Sequence, residues 1–280
     1  MSEHFAAFSF VDRITEFVPG VRARGLYAVP AELAAFPACL VAEAVGQLAA
    51  WVSMEHIAFR GRPVAALASE TRFHRDVAPG SLLELAIDID ACDDDAVAYS
   101  GRATSDGALV IELVDCLGPM LPVAEFDSPE AMAARLSLLR GAGATPGRFH
   151  GVPRLEVVLG DGVHGESLAA TLHVPAGAPF FADHFPRRPV FPATLLLDAE
   201  IGIALELARQ APDLPAGTWP VPVRMTHVKV RSFTAPGAVL EVTAQRVPQG
   251  GGAARIMLAT QAGGKTVATA RLEVEPRGNG

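Results

Sequence analysis

The sequence is short of charge and of cysteine and has no long apolar run, and each shortage closes off a class of protein. Only 19% of its 280 residues are charged while 50% are hydrophobic, which leaves material for a substantial core and excludes wholesale disorder. A formal charge of -8 argues against a nucleic-acid binder, whose affinity rests on Lys and Arg neutralising phosphates. The three cysteines, Cys39, Cys92 and Cys116, form neither a CxxC pair nor a zinc pattern. His56, His74, His164, His173 and His227 show no metal-ligand spacing either, so no metal or other cofactor is expected. No apolar run reaches the length of a membrane span, and the first residues lack the basic and apolar regions of a signal peptide. The expected setting is a reduced cytoplasm, with no membrane partner.

What is present centres on residues 180 to 202, FFADHFPRRPVFPATLLLDAEIG. Bulky or rigid neighbours surround His184 and fix its imidazole, which makes it a candidate base near neutral pH. After Pro192 the pattern turns into an apolar helix, with Asp198 about a turn and a half inside it.

The rest of the chain reads as strands around two such helices. Residues 8 to 29 look like a hairpin turning at Pro19-Gly20, residues 36 to 54 like a helix apolar nearly all round, and residues 63 to 117 like strands separated by APG, DDD and SDG. From 123 to 150 a short helix, capped by Ser128 ahead of Pro129, runs into a Gly-rich connector. The first pattern then recurs. FPACLVAEA (36 to 44) lies on FPATLLLDA (191 to 199) at an offset of 155, and APGSLLEL (78 to 85) on APGAVLEV (235 to 242) at 157. Two copies of one α+β unit follow: 1 to 122, then the connector 123 to 150, then 151 to 280.

HFPRRPVFPATLLLDA resembles the signature of the β-hydroxyacyl-acyl carrier protein dehydratases, hotdog-fold proteins of fatty-acid synthesis, and FSFVDRITEFVPG resembles that family's opening hairpin. The resemblance covers both copies. It implies a double hotdog, in which each long buried helix is wrapped by an antiparallel sheet and one chain imitates the family's homodimer. It also implies that His184 is the family histidine, while the same offset in the first copy lands on Val29. The family's acid is Glu43 in the first copy, followed one helical turn later by Gln47, and Asp198 in the second, followed by Gly202. Because the family builds its site across the dimer, His184 is expected to face Glu43 in one complete site, and Asp198 to face Val29 in a dead one. The backbone N–H of Ala193, where glycine is usual, would receive the thioester carbonyl, with Val190 supporting the histidine loop. Arg187 also replaces a usual glycine.

The implied activity is dehydration of 3-hydroxyacyl groups on acyl carrier protein, in fatty-acid-, polyketide- or polyene-type synthesis. Alternatives are a hotdog thioesterase, an enoyl-CoA hydratase, or a non-catalytic double hotdog that binds acyl chains or partners a synthase. An acidic carrier would dock on local positive charge. Arg187, Arg188, Lys229 and Arg231 are candidates, with Arg60, Arg62, Arg72 and Arg75 as the matching group in the first copy. Pairing of two chains is left open.

Overall fold

The structure, a computed structural model, describes residues 5–278. The first half contains β1 (Arg13–Val18), β2 (Arg22–Ala28), α1 (Ala38–His56), β3 (Gly61–Pro63), β4 (Leu67–Phe73), β5 (Leu82–Cys92), β6 (Ala96–Ser105) and β7 (Ala108–Pro122). Helix α2 (Pro129–Arg140) lies in the connector. The second half contains β8 (Glu156–Leu159), β9 (Ser167–His173), α3 (Ala193–Arg209), β10 (Thr218–Val230), β11 (Val239–Gly250), β12 (Ala253–Ala262) and β13 (Lys265–Gly278).

The duplication is visible in the sheet order. One path runs β1-β2-β5-β6-β7-β4 and then β10-β13-β12-β11-β9-β8, so the second half repeats the first with its order reversed about the β4–β10 seam. Neighbouring strands are antiparallel throughout this path. The turns that lead into β5 and β11 are the two APG segments, where Gly80 and Gly237 have φ of 83° and 74°, a left-handed conformation that glycine adopts without a Cβ penalty. At the seam Arg72 stands opposite Arg224. Glu70 pairs with Arg72 at 2.7 Å and with Arg224 at 3.6 Å, and so relieves the repulsion.

Each half wraps a helix. Strands β9, β11 and β12 alternate buried with half-buried or exposed positions at period two, so one face meets the helix and the other faces outward. Helix α1 is buried on most of its circumference: Leu40, Val41, Val45, Leu48 and Val52 are each at most 1% exposed. This breadth, and not an amphipathic stripe, is why its sequence reads as apolar all round. Truncating one such core leucine to alanine costs about 2–5 kcal/mol. Helices α1 and α3 also touch each other, and that contact brings the two copies' polar residues together.

One local feature differs from expectation. The opening hairpin begins at Arg13, so residues 8 to 12 are not strand; they run across both copies, as described below. The connector helix forms as expected, with the Ser128 hydroxyl accepting the Ala131 N–H at 3.2 Å and Pro129 in the first turn.

Candidate active site

The histidine loop is closed by a reciprocal pair of hydrogen bonds. Val190 N–H donates to the His184 carbonyl at 3.0 Å, and His184 Nδ1 meets the Val190 carbonyl at 2.9 Å. A carbonyl only accepts, so Nδ1 carries the proton and Nε2 is left with its lone pair. The imidazole stacks on Phe185 with centroids 4.2 Å apart, and Phe8 meets it edge-on at 5.7 Å. The His184–Phe185 peptide is cis. Burial lowers the His184 pKa, so its neutral, proton-accepting form prevails near pH 7. The Glu43 carboxylate acts against that shift from close by.

Glu43 comes from the other copy and is held at both oxygens. Gln47 Nε2, one turn along α1, donates to Oε1 at 3.0 Å, and the Thr194 hydroxyl in the first turn of α3 donates to Oε2 at 2.8 Å. Gln47 is oriented in turn by residues 8 to 10: it accepts from Phe10 N–H at 2.8 Å and donates to the Phe8 carbonyl at 2.9 Å. The same segment is tied to the histidine loop, because the buried Asp183 carboxylate accepts from Phe8 N–H at 2.7 Å, from the Ser9 hydroxyl at 3.2 Å and from Phe5 N–H. One short N-terminal segment thus positions groups on both copies. Asp183 lies in the histidine stretch and Phe8 opens FSFVDRITEFVPG, but the sequence did not show that they meet, since they are about 175 positions apart.

Glu43 and His184 line one cavity of about 190 Å³ between the copies. Ala42, Gly46 and Ala50 form one wall along α1, with Tyr99 and Cys116 on β6 and β7, and Ala193, Thr194 and Leu197 on α3. Ala193 and Thr194 lie in the first turn of α3, where N–H groups have no carbonyl acceptor inside the helix. The arrangement supplies a proton acceptor, a carboxyl group opposite it, and N–H donors with the positive end of a helix dipole at one edge.

Asp198 lies elsewhere. It lines a second, wider cavity of about 820 Å³ with Gly202, Glu206, His150 and residues 32 to 35. There burial raises its pKa, and the Cys39 thiol of the first copy acts against that shift. Cys39 with Asp198 is the counterpart, at the offset of 155, of Thr194 with Glu43. The two half-sites therefore place different chemistry at equivalent positions.

The arginines divide. Arg187 donates to the Ala124 carbonyl at 2.9 Å, and Arg188 pairs with Glu125 at 3.2 Å and sits over Phe233, which lines the cavity. Lys229 and Arg231 are exposed. In the first copy Arg60 pairs with Asp94, Arg72 with Glu70, and Arg75 bonds the Ser105 carbonyl. Arg62, expected among these surface groups, turns inward instead: it lines the His184 cavity, lies 4.1 Å over the Phe185 ring and approaches Asp127 at 3.8 Å. Burial lowers its pKa to about 10, against the pull of Asp127 and Glu43.

Comparison with known proteins bears on the whole chain. A family model described as a FabA-like domain matches residues 155–271, within the second copy. A 3-hydroxyacyl-[acyl-carrier-protein] dehydratase FabZ of Bacillus velezensis is 35% identical over 120 residues, covering 39% of this chain and 85% of that protein. The dehydratase FabZ of Burkholderia thailandensis is 32% identical over 89 residues, 30% of this chain, and the match spans only 56% of its length. Among solved structures, the tesB protein of Mycobacterium avium subs paratuberculosis superposes with a TM-score of 0.57 at 15% identity, covering 94% of this chain and 95% of that one. An acyl-ACP thioesterase from Bacteroides thetaiotaomicron gives 0.56 at 8% identity, with 91% and 98% covered. At such identities the superpositions establish the fold, which spans both copies. The chain belongs to the β-hydroxyacyl-acyl carrier protein dehydratase family, with two hotdog units fused in one polypeptide.

Proposed function

We propose that the protein removes water from 3-hydroxyacyl thioesters, delivered on an acyl carrier protein, to give trans-2-enoyl thioesters. The observation that carries this reading is His184 of the second copy and Glu43 of the first lining one cavity at the N-terminus of α3. His184 Nε2 takes the proton from the α-carbon. The electron pair forms the α–β double bond as the bond from the β-carbon to its hydroxyl breaks, and Glu43 in its acid form gives the proton that completes the departing water. The N–H of Ala193 stabilises the charge that develops on the thioester oxygen. We also propose the boundaries 1–122, 123–150 and 151–280 for the two units and their connector, with Arg188 and Phe233 at the cavity rim as the docking point for the carrier protein, aided by Arg187, Lys229 and Arg231.

Thioester hydrolysis is the second reading, supported by the fold shared with the acyl-ACP thioesterase from Bacteroides thetaiotaomicron. Incubating the protein with 3-hydroxyacyl- and 2-enoyl-carrier proteins and reading intact mass separates the two. Loss or gain of one water supports the dehydratase, whereas release of free acid supports the thioesterase. If neither occurs and His184→Ala behaves like the wild type, both readings fail.

A further inference from the structure

Beyond the catalytic pair the cavity is lined mostly by apolar residues, and Arg62, Thr71, Tyr99, Ser232 and Thr234 are among its polar ones. Tyr99 on β6 lines it and is enclosed by protein, its remaining exposed surface facing the cavity. Its hydroxyl has the Cys116 thiol beside it, a weak hydrogen-bonding partner compared with oxygen. That hydroxyl lies against α1 at Gly46, where an added Cβ would stand 3.3 Å from the phenol oxygen. Gly46 follows Glu43 by three residues, about 4.5 Å along the helix axis at 1.5 Å per residue. With Ala42 before it and Ala50 after it, Gly46 forms a stripe of small residues along the cavity wall. An acyl chain whose β-carbon lies at Glu43 and which follows this stripe therefore passes the Tyr99 hydroxyl a few carbons further on.

We propose that Tyr99 is a specificity-determining residue and that the site favours 3-hydroxyacyl thioesters carrying a second oxygen, as a hydroxyl or ketone, a few carbons beyond the β-carbon. A plain methylene chain at that point removes the phenol from any water and offers it no acceptor. A chain oxygen there gives the O–H a stronger acceptor, and a chain hydroxyl can also donate to the phenol oxygen. Gly46 provides the room: the substituent needs space that a methyl group on α1 would take. The raised pKa of the phenol, caused first by burial, keeps it a donor across the working range of pH.

This inference rests on the dehydratase reading for the placement of the β-carbon, so its test includes a readout that needs no turnover. Chains of equal length with and without a hydroxyl at the δ-carbon, as 3-hydroxyacyl thioesters and as unreactive amide analogues, are given to the wild type, Tyr99→Phe and Gly46→Ala. The ratio of kcat/KM for the oxygenated over the plain substrate, and the matching ratio of Kd for the amides, are the quantities read. The expected result is a preference for the oxygenated chain that falls about tenfold in Tyr99→Phe, the worth of one hydrogen bond, and falls also in Gly46→Ala. Equal handling of both chains by the wild type, or ratios unchanged by Tyr99→Phe, overturns the inference. If no substrate turns over but the amides keep a Tyr99-dependent preference, the dehydratase reading fails and the tunnel assignment stands.

Discussion

Burial holds the His184 imidazole below the ordinary histidine pKa, Arg62 adds to that shift, and Glu43 and the Val190 carbonyl oppose it. The acid limb of kcat/KM is therefore expected below pH about 6.5, the unperturbed histidine value, and Arg62→Met moves it upward; a limb above that value counts against His184 as the base. Stability carries the same sign. Between the lowered folded pKa and the unfolded value the unfolded chain binds more protons, so His184 costs stability as pH falls through that window. Glu200 behaves oppositely. It is fully buried on α3, accepts from the Thr260 hydroxyl, leaves its second oxygen without a partner among the described residues, and is pushed up to about 7. The folded state then holds the extra proton, and stability falls as pH rises from the unfolded value toward 7. Glu200→Gln is expected to stabilise the protein at pH 8 by on the order of 1–2 kcal/mol once the amide's own unpartnered N–H is counted, read by denaturant unfolding. For activity, Glu43→Gln abolishes water loss while Asp198→Asn largely spares it, because Asp198 lines the cavity that lacks His184; the reverse result refutes the cross-copy site.

Among the elements, the segment from Phe5 to Phe10 has the most contacts that its sequence does not advertise. Its alternation of aromatic and small residues suits a strand, but its amides are spent on Asp183 and Gln47 instead of a partner strand. Asp183→Ala leaves Phe8 N–H buried without its carboxylate and is expected to cost about 1–3 kcal/mol. The diagnostic is local: amide exchange should quicken at Phe8 and Phe10, and kcat should fall as Gln47 and then Glu43 lose their orientation. Unchanged exchange at those amides would show that the segment is held by its aromatic packing alone. The helices were legible for the opposite reason. Both start at a Phe-Pro, and their broad apolar character reflects a sheet curved around each of them, so local pattern and tertiary burial agree.

In the whole molecule, one chain takes the place of two. Because His184 and Glu43 line one cavity within a single polypeptide, mixing a His184→Ala chain with a Glu43→Gln chain is expected to restore no activity, even if chains pair. Restoration would mean that the site is assembled between chains. For the same reason residues 151 to 280 alone, though they include the segment matched by the family model, are expected to be inactive for want of Glu43. The β4–β10 seam, which merges the two sheets, is the geometric basis for both expectations, since it keeps the half-sites in one register.

The sequence by itself determined the α+β elements, their duplication, the hotdog fold and the unequal endowment of the two copies. The elements follow from local periodicity, the duplication from self-similarity at an offset of 155 to 157, and the hotdog fold and unequal endowment from the resemblance of short motifs, His184 with Val190 and Glu43 with Gln47, to the dehydratase signature. Only the tertiary structure decided that Thr194 bonds Glu43, that Asp183 and Gln47 share one N-terminal segment, that Arg62 turns inward onto Phe185, and that Tyr99 overlooks the tunnel. Those contacts join residues 37 to 178 positions apart. At such separations the order of residues says which groups exist, while the packing of α1 against α3 and the turn of each loop say which of them meet.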